Sequence, residues 1–205
     1  MKTKTLCLIT AACLLSSVSA LAGPEAFKQG QTIPEFGKIA EVKVDQPVYR
    51  HHKFKVVFDV SEQARAGDLN RNLVSAARFI NMHTAASVKE KNIKLAIVIH
   101  GGATKDVTKE AYYMESQKTN VEKNLIEGVK KPEADGRYIK EKKENANAAL
   151  IKTLIEHGVE FYVCGQSAAY YDVDNTDLLP DVKMALSAMT AHALLQQKGY
   201  TLNPF

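Results

Sequence analysis

The sequence predicts a three-layer α/β domain: a mostly parallel five-stranded sheet with helices on both faces. Short apolar runs of strand length alternate with segments of helical period, and most of these segments close on a glycine or a proline turn. Strands alternating with helices imply right-handed crossovers, and such crossovers make neighbouring strands parallel. Composition agrees. The 205 residues are 45% hydrophobic and 24% charged, which excludes collagen-like, disulfide-framework and strongly disordered chains. A formal charge of +4 makes no case for nucleic acid as a partner.

Residues 1–22 read as a secretory signal. Lys2 and Lys4 precede an apolar run from Leu6 to Leu15, and Ala20-Leu21-Ala22 offers small residues for cleavage after Ala22. That run is shorter than the ~20 residues of a membrane span, and no later stretch approaches the length. Export places the protein in the periplasm. Cleavage removes Cys7 and Cys13 and leaves Cys164 as the one cysteine, with no internal disulfide. Residues 23–53, with scattered proline and glycine, read as an extended arm lying on the domain, with a short strand near Ile39 to Val44.

The domain proper, residues 54–205, opens with Phe54 to Val60, a β-branched and aromatic strand. After Gly67, the apolar residues Leu69, Leu73, Ala76, Ala77, Ile80 and Val88 recur at helical spacing and predict one long amphipathic helix. Leu95 to Ile99 is an unbroken apolar strand, bounded by His100-Gly101-Gly102. Gly101-Gly102-Ala103-Thr104-Lys105 lacks phosphate-loop spacing and reads as a tight turn with Thr104 or Asp106 capping a helix. Met114 to Glu144, rich in Lys and Glu, reads as a solvated helical excursion. A helix begins near Asn147 and stops at His157-Gly158, followed by a strand over Val159 to Val163. Val182 to Leu186 is the fourth strand, Ser187 to Lys198 a helix ended by Gly199, and Tyr200 to Leu202 an edge strand.

Ligands of open α/β sheets bind outside the carboxyl ends of the strands. Three such ends carry chemistry here: Asp59-Val60-Ser61, His100-Gly101-Gly102 and Cys164-Gly165-Gln166-Ser167. Cys164 stands where a strand hands over to a helix, and unpaired N–H groups at such a junction favour thiolate over thiol. Gly165 leaves the sulfur approachable, and if His100 lies on a neighbouring strand it can take the thiol proton or pair with the thiolate. Backbone N–H groups at Gly101, Gly102, Gly165 and Gln166 are the candidate binding groups for an anionic donor. The same residues also fit a strand that ends in a small buried hydrophobe.

The stretch Gly158 to Ser167, followed by Asp177-Leu178-Leu179-Pro180 and the closing helix into Gly199-Tyr200, resembles the DsrE/DsrF-like sulfur-relay family. Ile97 to Ala103 is similar to its second-strand motif and Lys55 to Val60 to its first strand, so the resemblance covers roughly Phe54 to Leu202. It implies a subunit of trimers or hexamers in which Cys164 carries sulfur as a persulfide, between sulfur donor and acceptor proteins or small thiols and polysulfides. No cofactor is implied. A second reading is a non-enzymatic periplasmic binding or assembly module of the same fold. A metal site built from His51, His52, His100 and Cys164 is disfavoured, because no His-x-x-x-His or Cys-x-x-Cys spacing occurs.

Overall fold

Five apolar runs form a single sheet in the computed structural model, which describes residues 23–117 and 143–204. The strands are β1 (Phe54–Val60), β2 (Ile93–Ile99), β3 (Glu160–Cys164), β4 (Val182–Ala185) and β5 (Thr201–Pro204). Every pairing is parallel, and the order across the sheet is β4-β3-β2-β1-β5. The expected layers and strand direction are therefore present, with each strand within a few residues of its expected position.

The helices are α1 (Arg71–Ala85), α2 (residues 110–117), α3 (Asn147–Glu156), α4 (Gly165–Tyr170) and α5 (Ala188–Gln197). Strand order assigns their faces. From β1 to β4 the chain steps in one direction across the sheet, so right-handed crossovers put α1, α3 and α4 on one face. From β4 it returns to the far edge at β5, and the same handedness sends α5 to the opposite face.

Alternation along the strands fills both interfaces. Val56, Phe58, Leu95, Ile97 and Phe161 pack with Leu73, Ile80, Leu150 and Leu154 on the first face. Val57, Ala96 and Val98 pack with Ala191 and Leu195 of α5 on the second.

Helix ends follow local chemistry. Asn70 caps α1 by accepting the Asn72 N–H at 3.0 Å. The helix stops at Ala85, short of the expected Val88, because Ser87 turns left-handed at φ 69°. The Ser87 and Val88 N–H groups then close back on the Thr84 and His83 carbonyls, and Val88 reaches the core from the turn. Leu69 lies ahead of the cap and is exposed. Gly158 and Gly199 end α3 and α5 in the same manner, at φ +79° and +82°.

Two local expectations are corrected. Residues Gly101–Val107 wind as a 3-10 segment in which Thr104 and Asp106 are fully buried, so neither caps a helix. Asp106 instead accepts the Ala64 N–H and an Asn70 Nδ2–H. The arm has no strand over Ile39 to Val44, only an isolated antiparallel bridge between Lys28 and Ile39. It is fastened to α1 by Asn81, whose side chain accepts from the Ile33 N–H and donates to the Ile33, Phe36 and Gly37 carbonyls. The expected signal segment, with Cys7 and Cys13, lies outside the described residues, as does most of the charged excursion.

Candidate functional site

Cys164 ends β3 at the point where consecutive crossovers part. α4 leaves β3 toward the face of α1 and α3, whereas α5 leaves β4 toward the other. Such a divergence opens a crevice at the carboxyl edge of a parallel sheet. Cys164 is in register with Ala185, the last residue of β4. Gly165 makes this closeness possible: a Cβ there would stand 2.7 Å from the Ala185 carbonyl oxygen. Its missing side chain thus serves the packing of α4 against the end of β4. Gln166 reinforces the junction by donating Nε2–H to the Leu186 carbonyl at 3.2 Å.

The residue is 6% exposed, yet its sulfur meets polar groups. Burial pushes the thiol pKa up. Hydrogen bonds from the Ser167 hydroxyl and from the Ser167, Ala188 and Gln166 N–H groups outweigh that and hold it below the ordinary cysteine value. The Ser167 oxygen also accepts the Gly101 N–H at 3.0 Å, which ties the turn after β2 to the sulfur.

His100 follows the last paired residues of β2 and β3, Ile99 and Val163, so it continues the ladder beside Cys164. By alternation both lie on the sheet face that carries α5. His100 Nε2 is 3.2 Å from Asp59, and His192 Nε2 of α5 is 2.7 Å from the same carboxylate. Burial raises the Asp59 pKa, but hydrogen bonds from His192 and then His100, with the charge of both rings, hold it below the usual carboxylate range. An ionised carboxylate only accepts, so both Nε2 atoms carry hydrogen, and a neutral His100 has its lone pair on Nδ1.

The carboxyl edge therefore assembles a thiol, an imidazole and a carboxylate. Asp59 was visible as a strand end but not as the partner of His100. His192 gave no sequence signal, since nothing local records which face α5 covers. Gly102 packs against Gln63. His51 and His52 stack with Tyr49 and Phe54 at the start of β1, at the opposite edge of the sheet from Cys164. Nearby, Tyr112 OH donates to the Tyr171 carbonyl, and Lys105 Nζ stands 4.8 Å over the Tyr171 ring.

A comparison with curated proteins finds no match. Among solved structures, a protein of unknown function from Methanobacterium thermoautotrophicum is similar. It is 14% identical with a TM-score of 0.47, and the match covers 75% of this chain and 100% of that one. The model of the DsrE/DsrF-like family matches residues 55–204, from the second residue of β1 to the end of β5, a span that includes Asp59, His100, Cys164 and His192. The chain belongs to the DsrE/DsrF-like family.

Proposed function

We propose that this protein is a periplasmic sulfur carrier that relays sulfane sulfur as a Cys164 persulfide. The observation that carries the reading is the placement of Cys164 at the carboxyl end of β3 and the start of α4, on the strand beside the His100–Asp59 pair, where nearby donors hold the thiol pKa below its ordinary value despite burial. Thiolate is the form that attacks sulfur. In the first step Cys164 thiolate attacks the outer sulfur of a persulfide, forming the Cys164 S–S bond and releasing the donor as a thiolate. In the second, an acceptor thiolate attacks that outer sulfur and Cys164 leaves as thiolate. Electrons balance across the pair, so no oxidant or reductant is consumed. His100 takes the thiol proton, with Asp59 as its partner. The export signal read in residues 1–22 supports the periplasmic setting, and the family supports a homo-oligomeric carrier acting between a donor and an acceptor.

Intact mass after incubation with polysulfide tests this. Wild type gains one or more sulfur atoms that a reductant removes, and Cys164→Ser gains none. An unchanged wild-type mass, or a gain that persists in Cys164→Ser, refutes the carrier role.

A further inference from the structure

α5 meets the Cys164 site at two points one helical turn apart. Ala188, its first residue, has its N–H among the groups that hold the Cys164 thiol below its ordinary pKa, and His192, four residues on, gives Nε2–H to Asp59 Oδ1 at 2.7 Å. Residues four apart share a helix face, so the stripe that buries Ala191 and Leu195 also carries Ala188 and His192. His192 Nδ1 is buried and has no hydrogen-bond partner among the described residues. A buried nitrogen without a partner is unfavourable, and an apolar side chain would fill the space without that cost. The bond to Asp59 accounts for an imidazole at this position.

We propose that His192 is a positioning residue of the Cys164 site. By holding Oδ1 of Asp59 it fixes the carboxylate that takes Nε2–H of His100, which stands 3.2 Å from both oxygens, and His100 Nδ1 is left as the base. The proton leaves Cys164 Sγ for that nitrogen, giving thiolate and imidazolium. After sulfur transfer the same proton passes to the departing donor thiolate, and His100 returns to neutral. The titratable groups facing the cluster are Asp59 of β1, His100 of β2, Cys164 of β3 and His192 of α5. Toward the amino ends of the strands the same face carries Lys55, Glu160, Tyr162, Lys183 and Tyr200, bonded or stacked among themselves. β5 contributes none.

This inference deepens the sulfur-carrier reading and rests on it only for what the sulfur receives. The test is the rate of Cys164 alkylation by iodoacetamide across pH in wild type, His192→Ala and His192→Gln. His192→Ala lowers the neutral-pH rate about tenfold and moves the midpoint, whereas His192→Gln, whose Nε2–H still reaches Asp59, stays within about twofold. An alanine profile that overlays wild type, or a glutamine profile as depressed as alanine's, overturns the proposal. Should the alanine variant fail to fold, ring ¹⁵N shifts decide: His100 carries a proton on Nε2 in wild type and in His192→Gln whether neutral or imidazolium, and a neutral ring with its proton on Nδ1 and none on Nε2 in either overturns it. Alkylation needs no sulfane sulfur. A profile that depends on His192 in a protein that never gains sulfur removes the carrier role and keeps the positioning one, and normal loading with a profile indifferent to His192 does the reverse.

Discussion

The Ser167 hydroxyl is the foremost of the groups that hold the Cys164 thiol below its ordinary pKa, and its oxygen accepts the Gly101 N–H at 3.0 Å. Removing a donor from a thiolate raises the pKa, so less thiolate is present at neutral pH. Ser167→Ala therefore lowers the neutral-pH alkylation rate of Cys164 by roughly threefold to tenfold, with the thiolate absorbance titrating at higher pH. An unshifted titration would show that the N–H groups suffice. This part of the site was legible, because Gly165, Gln166 and Ser167 follow the cysteine directly and helix starts have a local signature. The Ala188 N–H and the His192 ring were not, since β4 and a turn separate them from Cys164 in sequence.

At the scale of elements, the arm depends on one polar side chain of α1. Asn81 accepts one N–H and donates to three carbonyls of the arm, and it sits beside the apolar stripe of Leu73, Ala76, Ala77 and Ile80. Gly37 allows the close approach, at φ +69° and with a virtual Cβ 2.3 Å from the Arg78 nitrogen. Ile33 is fully buried between these contacts. Asn81→Ala leaves buried arm carbonyls and an N–H without partners, a loss of about 2–4 kcal/mol. Limited trypsinolysis at Lys28 and Lys38 then accelerates before the domain itself is cut, and urea unfolding reads the stability loss. Periodicity identified the α1 stripe because burial repeats every turn. It could not identify Asn81 as a clamp, since a polar residue in such a stripe has meaning only when its partners are known.

For the whole molecule, Asp106 joins the β1–β2 and β2–β3 crossovers at the carboxyl edge of the sheet. Its carboxylate takes the Ala64 N–H and Asn70 Nδ2, while its carbonyl takes Asn145 Nδ2 at the entrance to α3. Burial pushes its pKa up to about 6 against the pull of those two hydrogen bonds. The folded protein then holds this proton more tightly than the unfolded chain. Stability from this group is complete below the ordinary carboxylate value, declines as pH rises to about 6 and is level above, by about 3 kcal/mol in all. Urea unfolding between pH 4 and 7 should record that decline, and Asp106→Asn should abolish it. The sequence by itself determined the strands, most of the helix limits, the parallel sheet and a cysteine at a strand end, because periodicity and glycine stops are written within a few residues of where they act. Only the tertiary structure decided the order β4-β3-β2-β1-β5, and with it the crossing of α5 to the opposite face. The direction of a crossover is a long-range packing outcome, and it is what brings Ala188 and His192 onto the Cys164 site.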